Sequence, residues 1–197
     1  PQQVSALVLS APASHPWPGT TSWYNLVAAR PLIGPVFGRI VPWVGPGMAE
    51  AGVASVFLPQ TIPDTYIEDL GLPLLFRPRN FIANGRDMAA ANAEFAEQAK
   101  RYPEIEKPLV VFSGTDDDVL SPVLHAGNLK KQIAGAIVVR LDGVGHMPHH
   151  VVGGLMAETV RSLAQTGGVQ AGLPLRIAIE TRGPSTHPTQ ESGASHE

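Results

Sequence analysis

Three short apolar runs stand out along the chain: VSALVLSAPA from Val4 to Ala13, PLVVFSG from Pro108 to Gly114, and AIVVRLDG from Ala136 to Gly143. Each is nearly continuous in Val, Leu and Ile, and each leaves through Pro or Gly. A strand with one wet face would alternate apolar and polar residues, so these runs predict parallel strands covered on both faces. Between the second and third, SPVLHAGNLKKQIAG predicts a helix with Pro122 in its first turn behind a Ser121 cap. After the third, HHVVGGLMAETVRSLAQ puts Val151, Leu155, Met156, Thr159, Val160 and Leu163 on one helical face. Strand-helix-strand-helix with short connections is an α/β unit, with right-handed crossovers expected.

The stretch from Ser14 to Tyr102 has a different texture. Prolines at 16, 18, 31, 35, 42, 46, 59, 63, 73 and 78 cut it into short pieces. WYNLVAARPLIG, GPVFGRIVPWVG and PGMAEAGVASVFLP each hold a few helical turns between Pro or Gly stops. NFIANGRDMAAANAEFAEQAKRY is Ala-rich and predicts a longer helix. The expected fold class is therefore α/β, parallel strands flanked by helices, with a Pro-rich helical insertion. Core is expected over residues 1–13 and 103–165, with the insertion over 14–102. The tail, 166–197, is expected to add an edge strand at LPLRIAIETRG and end disordered at STHPTQESGASHE.

Composition narrows the classes. A hydrophobic fraction of 44% and a charged fraction of 16% over 197 residues suit a folded domain. The net charge of −3 comes from mixed signs, with no basic stripe to track a nucleic acid. The chain has no cysteine, which excludes disulfides and Cys-ligated metals. No apolar run approaches the roughly 20 residues of a membrane-spanning helix. The start lacks the basic region of a secretory signal, and a cytoplasmic location is the expectation.

Candidate chemistry sits in two loops. Asp116, Asp117 and Asp118 follow the second strand, where open α/β sheets place their ligand crevices. GVGHMPHH follows the third, so His146 would face the same crevice. An acid that orients a general-base imidazole makes up two members of a nucleophile-base-acid triad. Blander readings stand beside this one: Asp117 as a helix N-terminal acid, and His146 as a buried hydrogen-bonded histidine. His149 and His150 match no zinc spacing and read as a solvent-facing helix start.

These two loops resemble those of the α/β-hydrolase family. Gly114-Thr115-Asp116-Asp117-Asp118-Val119-Leu120-Ser121-Pro122 is similar to its G-x-x-D-x-x-x-x-P-like acid turn, and Gly143-Val144-Gly145-His146-Met147-Pro148 to its G-x-G-H-x-P-like histidine loop. VSALVLSAPA resembles the strand before the family's lid, and the Pro-rich insertion resembles the lid itself. The likeness runs in order over roughly residues 1 to 165. It implies Asp117 as triad acid and His146 as base, with ester hydrolysis of a small apolar substrate and no cofactor. Trp23, Tyr24, Trp43 and Tyr66 are the candidates for lining the substrate pocket.

The family's G-x-S-x-G elbow and its oxyanion loop have no counterpart here. The expectation is that an N-terminal half carrying the nucleophile is a companion chain or is lost by cleavage, and that this chain alone is inactive. Gly85-Arg86-Asp87-Met88-Ala89-Ala90 superficially matches the aspartate elbow of epoxide hydrolases and dehalogenases, but no buried strand precedes it. The alternatives are an epoxide- or haloalkane-type hydrolase, a Mg-dependent phosphatase using Asp116 and Asp118, and a non-catalytic ligand- or partner-binding fragment. A chain lacking part of its sheet is also expected to associate, as a homo-oligomer or with its missing segment.

Overall fold

The computed structural model describes residues 3–166. Leu7–Ser10 (β1), Leu109–Gly114 (β2) and Ile137–Leu141 (β3) form one parallel sheet in the order β1-β2-β3. Between β1 and β2 lie six helices: α1 Trp23–Ala29, α2 Ile33–Val44, α3 Pro46–Phe57, α4 Tyr66–Asp69, α5 Leu72–Leu75 and α6 Pro78–Ala99. A short 3-10 turn at Tyr102–Glu104 follows. Helix α7, Ala126–Gln132, links β2 to β3, and α8, Pro148–Gln165, closes the described chain. The tail segments LPLRIAIETRG and STHPTQESGASHE lie outside the described residues.

Both faces of the sheet are covered, as the continuous apolar runs imply. Leu109 and Val111 point to one side, where they pack with Tyr102 and with Ala126, Leu129 and Ile133 around α7. Val110 and Phe112 point to the other and meet Val144 and α8 through Leu155, Met156 and Leu163. All six residues of β2 are buried, whereas all four of β1 are only half-buried. β1 has no strand on its outer side among the described residues.

Two helical expectations are corrected. Helix α7 starts at Ala126, so Pro122 is not in its first turn. Ser121 instead closes an isolated turn, its Oγ accepting from the Leu124 amide at 3.3 Å and its carbonyl from the His125 amide at 3.0 Å. In α8 it is Val152, not Val151, that faces the core, and Val160 is exposed. The backbone departs from helical geometry at Val152 (φ −122°, ψ 31°), just before Gly153-Gly154. That break shifts the periodicity the sequence suggests.

The insertion packs mainly as α1 and α2 against the long α6. The aromatic side chains of the insertion are buried only in part. Phe57 and Phe76 are buried, while Trp43 is 86% and Trp23 65% exposed. Trp43 lies near the end of α2, and Trp23 opens α1, where its ring meets those of Tyr24 and Phe37. Among the described residues no single helix is long and apolar enough to cross a membrane.

Candidate active site

Asp117 and His146 are 29 positions apart in sequence, and the sheet register brings them together. β2 and β3 are neighbours in parallel, with Gly114 opposite Leu141, so the loops leaving them emerge side by side. Backbone bonds stitch the loops: the Thr115 amide donates to Leu141 O at 3.0 Å, and the Asp116 amide to Val144 O at 3.0 Å. The Gly143 amide donates to Thr115 Oγ1 at 3.0 Å. Glycine is required at two places for different reasons. Gly143 has φ +69°, which costs an L side chain strain. At Gly114 a Cβ would collide with the carbonyls of Val144 and Gly145, so only glycine lets the loops touch.

Across this seam His146 Nδ1 lies 2.9 Å from Asp117 Oδ2. The other carboxylate oxygen accepts the amides of Val119 at 2.9 Å and Leu120 at 2.8 Å. Burial pushes the Asp117 carboxyl up, but the His146 hydrogen bond, the turn amides and the imidazole's charge outweigh it, and the net direction is below the ordinary carboxylate range. An ionised carboxylate can only accept, so Nδ1 carries the proton. The neutral imidazole then has its lone pair on Nε2. No described residue hydrogen-bonds that nitrogen, and the His146 side chain keeps 21% of its surface open. The arrangement can take a proton at Nε2 while the buried carboxylate holds the ring.

The two flanking aspartates differ from Asp117 in being exposed. Asp116 accepts from Thr115 Oγ1 at 2.9 Å and shapes the turn. The helix-terminus reading of Asp117 is not supported by the geometry, because α7 begins well past it. Asp87 is an exposed residue of α6. Among the described residues no three His, Cys, Asp or Glu converge as a metal would need.

The candidate pocket aromatics divide. Tyr66 lies beside the His146 loop, its ring 5.2 Å from His150 and 4.7 Å from Phe57. Trp23 and Tyr24 stack within the insertion, on Phe37 and Phe81 respectively. Trp43 stands almost fully exposed on α2. His149 and His150 are exposed, as their position at the start of α8 suggests. His149 Nδ1 is 3.5 Å from Ser10 Oγ; partial burial, then the nearby imidazoles of His150 and His146, hold it below the usual histidine value.

Two groups have no signature in the sequence. Gln60, in the turn after α3, bonds twice to the His146 loop. His125 is buried next to the site, its Nδ1 accepting the amides of Ser14 and His15, each at 3.2 Å. Neither belongs to a recognisable motif, because what selects them is the backbone they meet.

The chain aligns with the enol-lactonase from Burkholderia xenovorans LB400 at TM-score 0.51 and 20% identity, over 80% of this chain and 55% of that one. It aligns with a lipase candidate from Acinetobacter baumannii AYE at TM-score 0.54 and 16% identity, over 84% and 54%. It also matches MGS-M2, an α/β hydrolase enzyme from a Medee basin deep-sea metagenome library, at 0.49 and 18%, over 84% and 57%. The fold resembles part of an α/β-hydrolase. The chain spans about half the length of the solved structures it matches. No family model matches it, and no curated protein is similar to it in sequence.

Proposed function

We propose that this chain supplies the acid and base of a hydrolase triad acting on carboxylic esters of apolar small molecules. The observation that carries the reading is the Asp117–His146 pair, 2.9 Å apart where two adjacent parallel strands end, with Nε2 open. The insertion above it serves as a lid. No serine in the 197 residues sits in a G-x-S-x-G elbow, so the nucleophile comes from polypeptide outside them.

In the assembled site the serine hydroxyl attacks the ester carbonyl as His146 Nε2 takes its proton. The tetrahedral intermediate collapses with that proton passing to the leaving alcohol. Water, deprotonated by the same nitrogen, then releases the acid and restores the serine. Asp117 fixes the tautomer and stabilises the imidazolium throughout.

The test is labelling of the natively purified protein with a fluorophosphonate, followed by intact-mass analysis. The label is expected on a polypeptide other than the 197 residues, with labelling and p-nitrophenyl ester turnover both lost in His146→Ala. Undiminished labelling in His146→Ala would remove His146 as the base.

A further inference from the structure

We propose that Gln60 is a positioning residue for His146, so that the helical insertion sets the geometry of the base as well as lying over it. The inference rests on the reading of His146 as a base held by Asp117.

Gln60 lies in the turn between α3 and α4, more than eighty residues before the loop it touches. Its Nε2 donates to the Gly143 carbonyl at 2.7 Å, and its Oε1 accepts from the Gly145 amide at 2.9 Å. A side-chain amide offers a donor and an acceptor on one planar group, the complement of a backbone C=O and N–H two residues apart. The pair brackets Val144, and Gly145 is the residue immediately before His146. On its other side the same loop is fixed by the Asp116 amide on Val144 O and by Thr115 Oγ1 on the Gly143 amide. Gln60 thus completes a clamp of which the acid turn is the other jaw.

Three further observations show that the insertion is seated on this loop rather than brushing it. A Cβ on Gly145 would collide with the Leu58 carbonyl and come within 3.2 Å of Pro59, so the two backbones are in contact. Phe57, 1% exposed, places its ring 5.0 Å from His150, and Tyr66 places its ring 5.2 Å away. Residues 57–66 therefore hold the chain on both sides of His146. A shift of that segment transmits to the imidazole through the Gly145 amide, which makes seating of the insertion a condition for a productive base.

The test is an NMR measurement on the full 197-residue chain, which needs no nucleophile. The His146 Nδ1 proton, hydrogen-bonded to Asp117, is expected as a protected downfield resonance, assigned by its loss in His146→Ala. In Gln60→Met, which has a similar volume but neither polar group, its exchange with solvent is expected to be about tenfold faster, since a net hydrogen bond is worth about that factor. Gln60→Glu keeps the stem and an acceptor but loses the donor, should fall between, and carries the test if Gln60→Met does not fold. Wild-type exchange in the folded variant measured would overturn the role of Gln60. Persistence of the resonance in Asp117→Asn would instead overturn the acid–base pair, whatever Gln60 does. In the assembled enzyme Gln60→Met should lower kcat by about 10- to 100-fold with KM nearly unchanged, the signature of a displaced base rather than a weakened pocket.

Discussion

Asp117 is buried and accepts three hydrogen bonds, whereas Asp116 and Asp118 beside it are exposed. That contrast gives a ranking. On the proposed triad role, Asp117→Asn is expected to reduce ester turnover by about 10⁴, as loss of the acid does in a well-studied triad. Asp116→Asn and Asp118→Asn should stay near wild type, and steady-state ester turnover of the three variants checks the order. Next to the pair, His125 has an acceptor role that protonation would abolish, because its Nδ1 lone pair receives two backbone amides. Burial, then the charge of His15, push its pKa below the ordinary histidine value; Asp117 opposes this and His146 adds to it. A depressed histidine takes up its proton in the unfolded chain first. Its stabilisation is therefore full above about pH 6.5 and is lost as pH falls toward the lower folded-state value. Thermal unfolding across pH 7.5 to 5 should show this decline, and His125→Asn, whose carbonyl can accept the same amides without titrating, should flatten it.

At the scale of elements, the site depends on how closely loops and helices can approach. Gly145→Ala would drive a methyl into the Leu58 carbonyl, backbone against backbone, where neither side yields cheaply. An overpacking penalty of about 1–3 kcal/mol is expected, read as a lower midpoint in urea unfolding. Gly52, inside α3 with open space where its Cβ would lie, is the control. Gly52→Ala should stabilise by up to about 1 kcal/mol through helix propensity alone. Legibility at this scale followed the strength of the pattern. The three strands and the long α6 were legible because burial on both faces and an Ala-rich run leave few other readings. The start of α7 and the inward face of α8 were not. Ser121-Pro122 fits an isolated turn as well as a helix start, and Gly153-Gly154 permits a break at Val152 without requiring one.

The molecule as a whole leaves much apolar surface open. Leu32, Ile33, Val36, Ile40, Trp43 and Val44 of α2 and its approach are all exposed, and β1 has an unpaired edge among the described residues. Surface of this kind drives association. Sedimentation velocity over a concentration series is expected to show reversible self-association of the purified chain, with Ile40→Lys/Trp43→Lys shifting it toward the monomer. A concentration-independent monomer in both proteins would contradict that expectation.

The amino-acid sequence alone determined the α/β class, the helical character of the insertion, and the two loops that carry Asp117 and His146. Those features are written locally, as apolar continuity, proline spacing and glycine-flanked polar residues. Only the tertiary structure decided that the two side chains meet at 2.9 Å, and that Gln60 and His125 belong to the same neighbourhood. Each of these contacts joins residues distant in sequence through backbone groups. A backbone amide is the same in every residue but proline, so no pattern of side chains announces which one a distant glutamine or histidine will meet.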